Sequence, residues 1–167
     1  THERSSAASD VYKRQDIVVS NCDPPFFYNR LVPDYLNKKW NEKRLKKMSY
    51  SMGLFVWYFA TKKEYKDVEH HTIIMGKTFK KVLNDIYNKK VISNDLSLYL
   101  HRPSATDKDF DPSGNDSFYV LAPVPHNGSG INWTEKGEEI RLQVQKQLEN
   151  TLLPELEENI VESFFVT

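Results

Sequence analysis

Strict alternation of apolar and polar positions marks two stretches near the middle of the chain. In Ser97 to Arg102, an extended backbone places Ser97, Tyr99 and His101 on one face and Leu98 and Leu100 on the other. Ser117 to Val124 repeats the pattern, with Phe118, Val120, Ala122 and Val124 facing one way. The segment between them, Pro103 to Asp116, carries Pro112, Gly114, Asn115 and four aspartates, which is turn and loop chemistry. The two strands are therefore expected to form an antiparallel pair.

Other elements follow from the same reading. Gly53 to Ala60, GLFVWYFA, is a continuous β-branched and aromatic run, expected as a central strand covered on both faces. His70 to Met75 reads as a strand in which adjacent residues point to opposite faces, so His70 and His71 are not expected to share a metal ion, and no metal site is predicted. Asp16 to Ser20, DIVVS, is a short buried-type strand ended by Pro24 and Pro25. Phe26 to Leu36 predicts two short helical turns. Thr78 to Asn88 carries Phe79, Val82, Leu83, Ile86 and Tyr87 on one helical stripe, which should pack on the sheet. A second helix is expected from Thr134 to Leu153 through Ile140, Val144, Leu148 and Leu152; Pro154 stops it, and Ile160 to Val166 is a closing strand. Thr1 to Gln15 has no hydrophobic period and reads as disordered or foreign to the domain. The sum is an α+β fold, a mixed and largely antiparallel sheet with packed helices. Apolar strands lie at both ends without partners, the pattern of a segment of a longer protein.

Composition narrows the function classes. At 167 residues one domain is expected. The 23 basic and 23 acidic residues cancel, so no nucleic-acid partner is predicted. A single cysteine, Cys22, offers no internal disulfide and fits a reducing, cytoplasmic setting. The longest apolar run, Leu54 to Ala60, falls far short of the ~20 residues a spanning helix needs. Aromatic residues make up 13% of the chain, enough for a dense core or for the wall of a large apolar ligand site. Lys38, Lys39, Lys43, Arg44, Lys46 and Lys47 crowd around Trp40 against one acid, Glu42. That segment is either a solvated helix face or a basic face resting peripherally on anionic lipid.

No self-sufficient catalytic set is present. The sequence has no GxGxxG or P-loop phosphate cradle, no nucleophile elbow and no HExxH. The residues that could matter are His101, Arg102, His126, Asp23 and Cys22. Each histidine is either a packed ring or a base, and Cys22 reads as a small apolar residue. Arg102 follows an apolar strand and needs a partner if buried, which the loop aspartates could supply; a plain surface salt bridge is equally compatible.

The segments SMGLFVWYFATKKEY, HHTIIMGKTFKKVLNDIY, DLSLYLHRPSATD, DPSGNDSFYVLAPVPHNG and LENTLLPELEENIVE, in this order and spacing, resemble the middle and later part of bacterial-type phytoene desaturases. These are flavin-dependent carotenoid desaturases of the amine-oxidase-like flavoprotein superfamily. DIVVSNCDPPFFYNRLVPD resembles the segment before them, with Cys22 where the family commonly has alanine. The resemblance covers about Asp16 to the end. It implies that residues 16–167 are an incomplete substrate domain of a two-domain FAD-dependent oxidoreductase, with residues 16–25 returning to the flavin domain. The implied activity is dehydrogenation of phytoene toward lycopene, a hydride passing to flavin while a proton is lost from the neighbouring carbon. FAD is the implied cofactor, with its main binding motif lying outside this sequence, so the segment alone is expected to be inactive. Asn21, Cys22, Asp23 and Pro24 would lie near the cofactor. Phe55, Trp57, Tyr99, His101, Arg102, Phe118, Tyr119 and His126 would line a channel for the polyene; no catalytic base is assigned. Two alternatives stay open: another carotenoid desaturase or isomerase of the same fold, and a non-catalytic module that binds apolar ligands.

Overall fold

The structure is a computed structural model, and it describes residues 16–110 and 114–167. The expectation for Thr1 to Gln15 lies outside the described residues. The described residues divide into two compact units, 16–49 and 50–167.

In the first unit, Asp23 starts a single helical turn, α1 (Pro24–Phe26), its carboxylate accepting from the Phe26 N–H at 3.2 Å, and the turn widens into a π-type turn over Phe27–Leu31. Pro24 suits this first helical position, where its missing N–H costs nothing. Asn37 then ties the unit together. Its side-chain amide donates to the carbonyls of Tyr28 and Trp40, both at 2.9 Å, while its oxygen accepts from the Trp40 N–H. A second short helix, α2 (Glu42–Leu45), is capped by the Asn41 side chain. The expected strand at Asp16 to Ser20 is not formed: Ile17, Val18 and Val19 are 83%, 75% and 90% exposed. A strand of this all-apolar kind is stable only between neighbours, and none pairs with it among the described residues.

The second unit is a five-stranded open sheet with helices, an α+β arrangement. Its strands are β1 (Gly53–Thr61), β2 (His71–Ile74), β3 (Leu98–His101), β4 (Asp116–Val124) and β5 (Ile160–Val166), in the spatial order β2-β3-β4-β1-β5. All four neighbouring pairs are antiparallel, so the sheet is more uniform than the mixed one expected. The predicted β3–β4 pair is present, with Tyr99 opposite Leu121 and His101 opposite Tyr119. Alternation then sorts the side chains. Phe55, Trp57, Phe59, Phe118, Val120, Ala122, Leu98 and Leu100 face a core completed by Ile140, Val144 and Leu148 of the long helix α4 (Trp133–Thr151). Helix α3 (Phe79–Asn84) precedes β3, and a short α5 (Leu156–Asn159) leads into β5.

Two expectations change here. β1 lies between β4 and β5, yet only one of its faces is covered, because Leu54 and Tyr58 remain 46% and 38% exposed. An unbroken apolar run does not distinguish a strand buried on both faces from one whose outer face is aromatic and open. The α3 stripe is the second. Val82 and Ile86 are buried outside the main core, while Phe79 and Tyr87 stay exposed, so this helix does not lie on the sheet as the stripe suggested. Its start is held instead by Asp95, whose carboxylate accepts from the Lys77 and Thr78 N–H groups and the Thr78 hydroxyl at 2.6 to 3.0 Å.

Candidate functional site

The open face of the sheet is the candidate site. Alternation brings Tyr58 of β1, Tyr119 of β4, Tyr99 and His101 of β3, and Phe164 of β5 to the side away from α4. Their rings form a continuous aromatic surface: Tyr58 stacks on Phe164 at 4.8 Å and lies 5.7 Å from Tyr119, which is 6.0 Å from Tyr99 and 4.6 Å from His101. A groove of about 550 Å³ runs over it, bordered by Tyr58, Phe164, Tyr119, His101, Pro103 and Phe110. Such a surface offers a large apolar ligand contact area with few polar atoms. Burial, with a bond to Tyr99, raises the Tyr119 phenol above its ordinary value, so it stays protonated at neutral pH.

The sequence-predicted channel residues divide between two sides of the sheet. Tyr99, His101 and Tyr119 lie on the open face. Phe55 and Trp57 are fully buried beneath α4, and Phe118, 3% exposed, points to the same core. They follow the opposite phase of the alternation, which a reading by aromatic content alone ignores. Arg102 is also buried, and its work is structural. Its Nε donates to one oxygen of Asp116 at 3.0 Å, with Nη2 ion-paired to the same oxygen at 3.0 Å; Nη1 donates to the Val68 carbonyl at 2.9 Å, and Nη2 donates to Glu64 at 3.5 Å. The same Asp116 oxygen accepts from Ser104, and its other oxygen takes the Tyr65 N–H at 2.6 Å. One of the four loop aspartates is thus the partner the sequence called for. His126 lies past the far end of β4, tilted against Tyr50 at 5.8 Å, with its Nδ1 accepting from the Gly128 N–H.

One grouping was missed. His70, His71 and His101 bring one ring nitrogen each to within 4.8 Å of one another. The alternation argument against this fails because β2 begins at His71, so His70 precedes the regular strand. His101 sits directly across from His71 in the β2–β3 register, and the His70 carbonyl accepts from the Arg102 N–H at 2.9 Å. The signal available in sequence was a histidine pair beside one strand and a third histidine at the end of its neighbour. Burial, followed by the proximity of His70 and His71, lowers the His101 pKa below the ordinary imidazole value, which favours its neutral form.

Asn21, Cys22 and Asp23 are exposed, Cys22 hydrogen-bonds only locally with Ser20, and the Asp23 carboxylate is used as a helix cap. In the first unit Trp40 stacks on Tyr28 at 5.7 Å with the Arg44 guanidinium 4.6 Å from its ring centre. Among the described residues no helix is long and apolar enough to cross a membrane.

No family model matches the chain. Among curated proteins, the neurosporene-forming phytoene desaturase of Rhodobacter capsulatus is 44% identical over 156 residues, covering 90% of this chain and 30% of the relative. The neurosporene-forming enzyme of Cereibacter sphaeroides is 39% identical over 165 residues, with 96% and 32% covered. The lycopene-forming phytoene desaturase of a Paracoccus species is 38% identical over 146 residues, with 87% and 29% covered. The chain spans about a third of the length of these relatives, and over that span it is a homologue of the bacterial phytoene desaturases.

Proposed function

We propose that this chain supplies the substrate-facing sheet of an FAD-dependent phytoene desaturase, with the open aromatic face as one wall of a polyene channel. The single observation that carries this reading is the position of Tyr58, Tyr119, Tyr99 and Phe164 on one uncovered face, in a chain whose relatives are phytoene desaturases. A C40 polyene has no polar handle, so its recognition rests on apolar area and on alignment along a groove. In this reading the residues of the sheet bind and orient the substrate and exclude water. FAD would supply the hydride acceptor when bound, and would be held mostly by parts of the desaturases outside the matched third, with the Asn21 to Pro24 turn near it. The basic segment from Lys38 to Lys47 lets a cytoplasmic enzyme rest peripherally on anionic membrane, from which the substrate is drawn.

The test is a chimaera in which residues 16–167 replace the matched third of the Rhodobacter capsulatus enzyme, expressed in cells that accumulate phytoene. Conversion of phytoene to coloured products supports the reading. A chimaera that binds flavin but leaves phytoene untouched refutes it, and activity on a C30 precursor alone would favour a sister carotenoid desaturase. Tyr58→Ala and Phe164→Ala in the active chimaera should lower turnover at limiting substrate at least tenfold. Replacing Lys38, Lys39, Lys43, Lys46 and Lys47 by Gln should abolish binding to anionic liposomes; unchanged binding removes the membrane part.

A further inference from the structure

We infer that His70, His71 and His101 form a three-imidazole site for a borderline divalent transition-metal ion of the zinc type, with water or another small ligand in the fourth position. His71 and His101 face each other across β2 and β3, and His70 is fixed beside them by the hydrogen bond from the Arg102 N–H to its carbonyl. Arg102 is itself locked in the buried network with Asp116 and Val68. The three rings therefore hang from a rigid part of the fold rather than from a mobile loop.

The Nδ1 of His70 is hydrogen-bonded to the Thr106 hydroxyl at 2.6 Å, and the Nδ1 of His71 to the Tyr99 hydroxyl at 2.7 Å. In each ring this leaves Nε2 for a ligand. Histidines that bind metals are characteristically fixed through their other nitrogen in this way, which sets both the tautomer and the aim of the ring. The Nε2 atoms of His70 and His101 already face each other at 2.6 Å, sharing a single proton. A tetrahedral ion with bonds of about 2.0 to 2.1 Å holds its ligand nitrogens roughly 3.4 Å apart. Replacing the shared proton by the ion thus requires the His70 and His101 rings to part by less than an ångström, and His71, which brings a ring nitrogen into the same 4.8 Å grouping, to close around it.

Chemistry selects the ion. Three neutral imidazoles with no carboxylate or thiolate among the grouped ligands suit zinc, copper or nickel, and disfavour magnesium and calcium, which need oxygen. Three protein ligands leave one position open. His101 also borders the aromatic groove, so the site lies at the groove's margin. The Nδ1 of His101 is buried without a hydrogen-bond partner, and its ring is placed by packing on Tyr119 at 4.6 Å, which makes His101 the least firmly oriented of the three ligands.

The proposal does not depend on the desaturase reading and is tested on the full chain without flavin or polyene. Zn²⁺ is titrated into EDTA-treated protein by calorimetry, and Co²⁺ is used as a visible probe of coordination. One Zn²⁺ per chain and a Co²⁺ spectrum of the tetrahedral type are expected. His70→Ala, His71→Ala and His101→Gln should each weaken binding at least tenfold, and His126→Ala should leave it unchanged. Tyr99→Phe keeps every imidazole and removes only the hydroxyl that orients His71, so it should weaken binding by about tenfold. Circular dichroism in EDTA establishes that each variant is folded. Undiminished Zn²⁺ affinity in the three histidine variants, loss of binding on His126→Ala, or a Co²⁺ spectrum that stays that of the hydrated ion would overturn the proposal.

Discussion

Removing the Asp116 carboxylate should be among the most damaging single changes in the second unit. The side chains of Arg102 and Asp116 are 4% and 1% exposed, so the guanidinium would keep its charge out of water after its main partner had gone. Glu64, at 3.5 Å and one-third exposed, compensates only in part. Stripping one member from a buried pair typically costs ~3–5 kcal/mol. The Ser104 hydroxyl and the Tyr65 N–H also lose their acceptor, although such losses overlap within one network and are not additive. We therefore expect Asp116→Ala to cost about 4 kcal/mol, a large part of the ~5–15 kcal/mol that holds a typical domain together. With a urea slope of ~2 kcal/mol per molar, the unfolding midpoint should fall by about 2 M. Arg102→Met combined with Asp116→Leu removes both charges and should recover most of the loss. Equilibrium urea unfolding followed by tryptophan fluorescence measures both. A loss below 1 kcal/mol for Asp116→Ala, or a double variant as unstable as the two single changes added together, would refute the account of a buried charge in need of a partner.

Three further outcomes are expected. Trp57→Ala, on the core face, should destabilise the chain by about 3–5 kcal/mol, whereas Tyr58→Ala, its neighbour on the open face, should cost less than about 1.5 kcal/mol by the same unfolding assay. Asp95→Asn should lower the melting temperature at neutral pH and have no effect in strong acid. Hydrogen bonds from the Thr78 hydroxyl, then from the Thr78 and Lys77 N–H groups, hold the Asp95 pKa below 3.8, so its contribution is complete above that value and is lost as pH falls through the lowered pKa. A pH-independent difference in melting temperature would contradict this. Gly137→Ala should destabilise α4 although alanine favours helix by about 1 kcal/mol, because the new methyl would meet the Phe165 ring at 2.5 Å; Phe165→Leu should relieve the cost, and a stabilised single variant would show the ring to be free to move.

Much of the fold was legible because the periods are clean. The alternation of Leu98 to His101 and Ser117 to Val124 gave both the strands and the sides they present, and the four-residue spacing from Ile140 to Leu148 marked the helix that covers them. What periodicity cannot supply is the partner of an apolar segment. Asp16 to Ser20 reads as a strand by residue type, yet a strand exists only in a ladder. Gly53 to Ala60 hides its phase because both faces are apolar, so Phe55 and Trp57 could not be separated from Tyr58 until β4 and β5 fixed which side α4 covers. For Arg102 the sequence left a buried pair with a loop aspartate and a surface salt bridge equally open, and Asp116, Val68 and Ser104 around it decide for the buried pair. The histidine cluster escaped because it depends on where β2 begins, a boundary of one residue, and on cross-strand register, which local sequence does not carry.

The order β2-β3-β4-β1-β5 leaves β5 on a rim of the sheet. Its backbone pairs with β1 on one side, and among the described residues nothing pairs with the other. The strand reads Ile-Val-Glu-Ser-Phe-Phe-Val, without proline, and Val161, Phe164 and Val166 are more than half exposed. A rim of this kind can template the same strand of a second molecule, and the single charge of Glu162 is a weak gatekeeper against it. Self-association at high concentration should therefore begin along β5, and a lysine in place of Val161 or Phe164 should delay it.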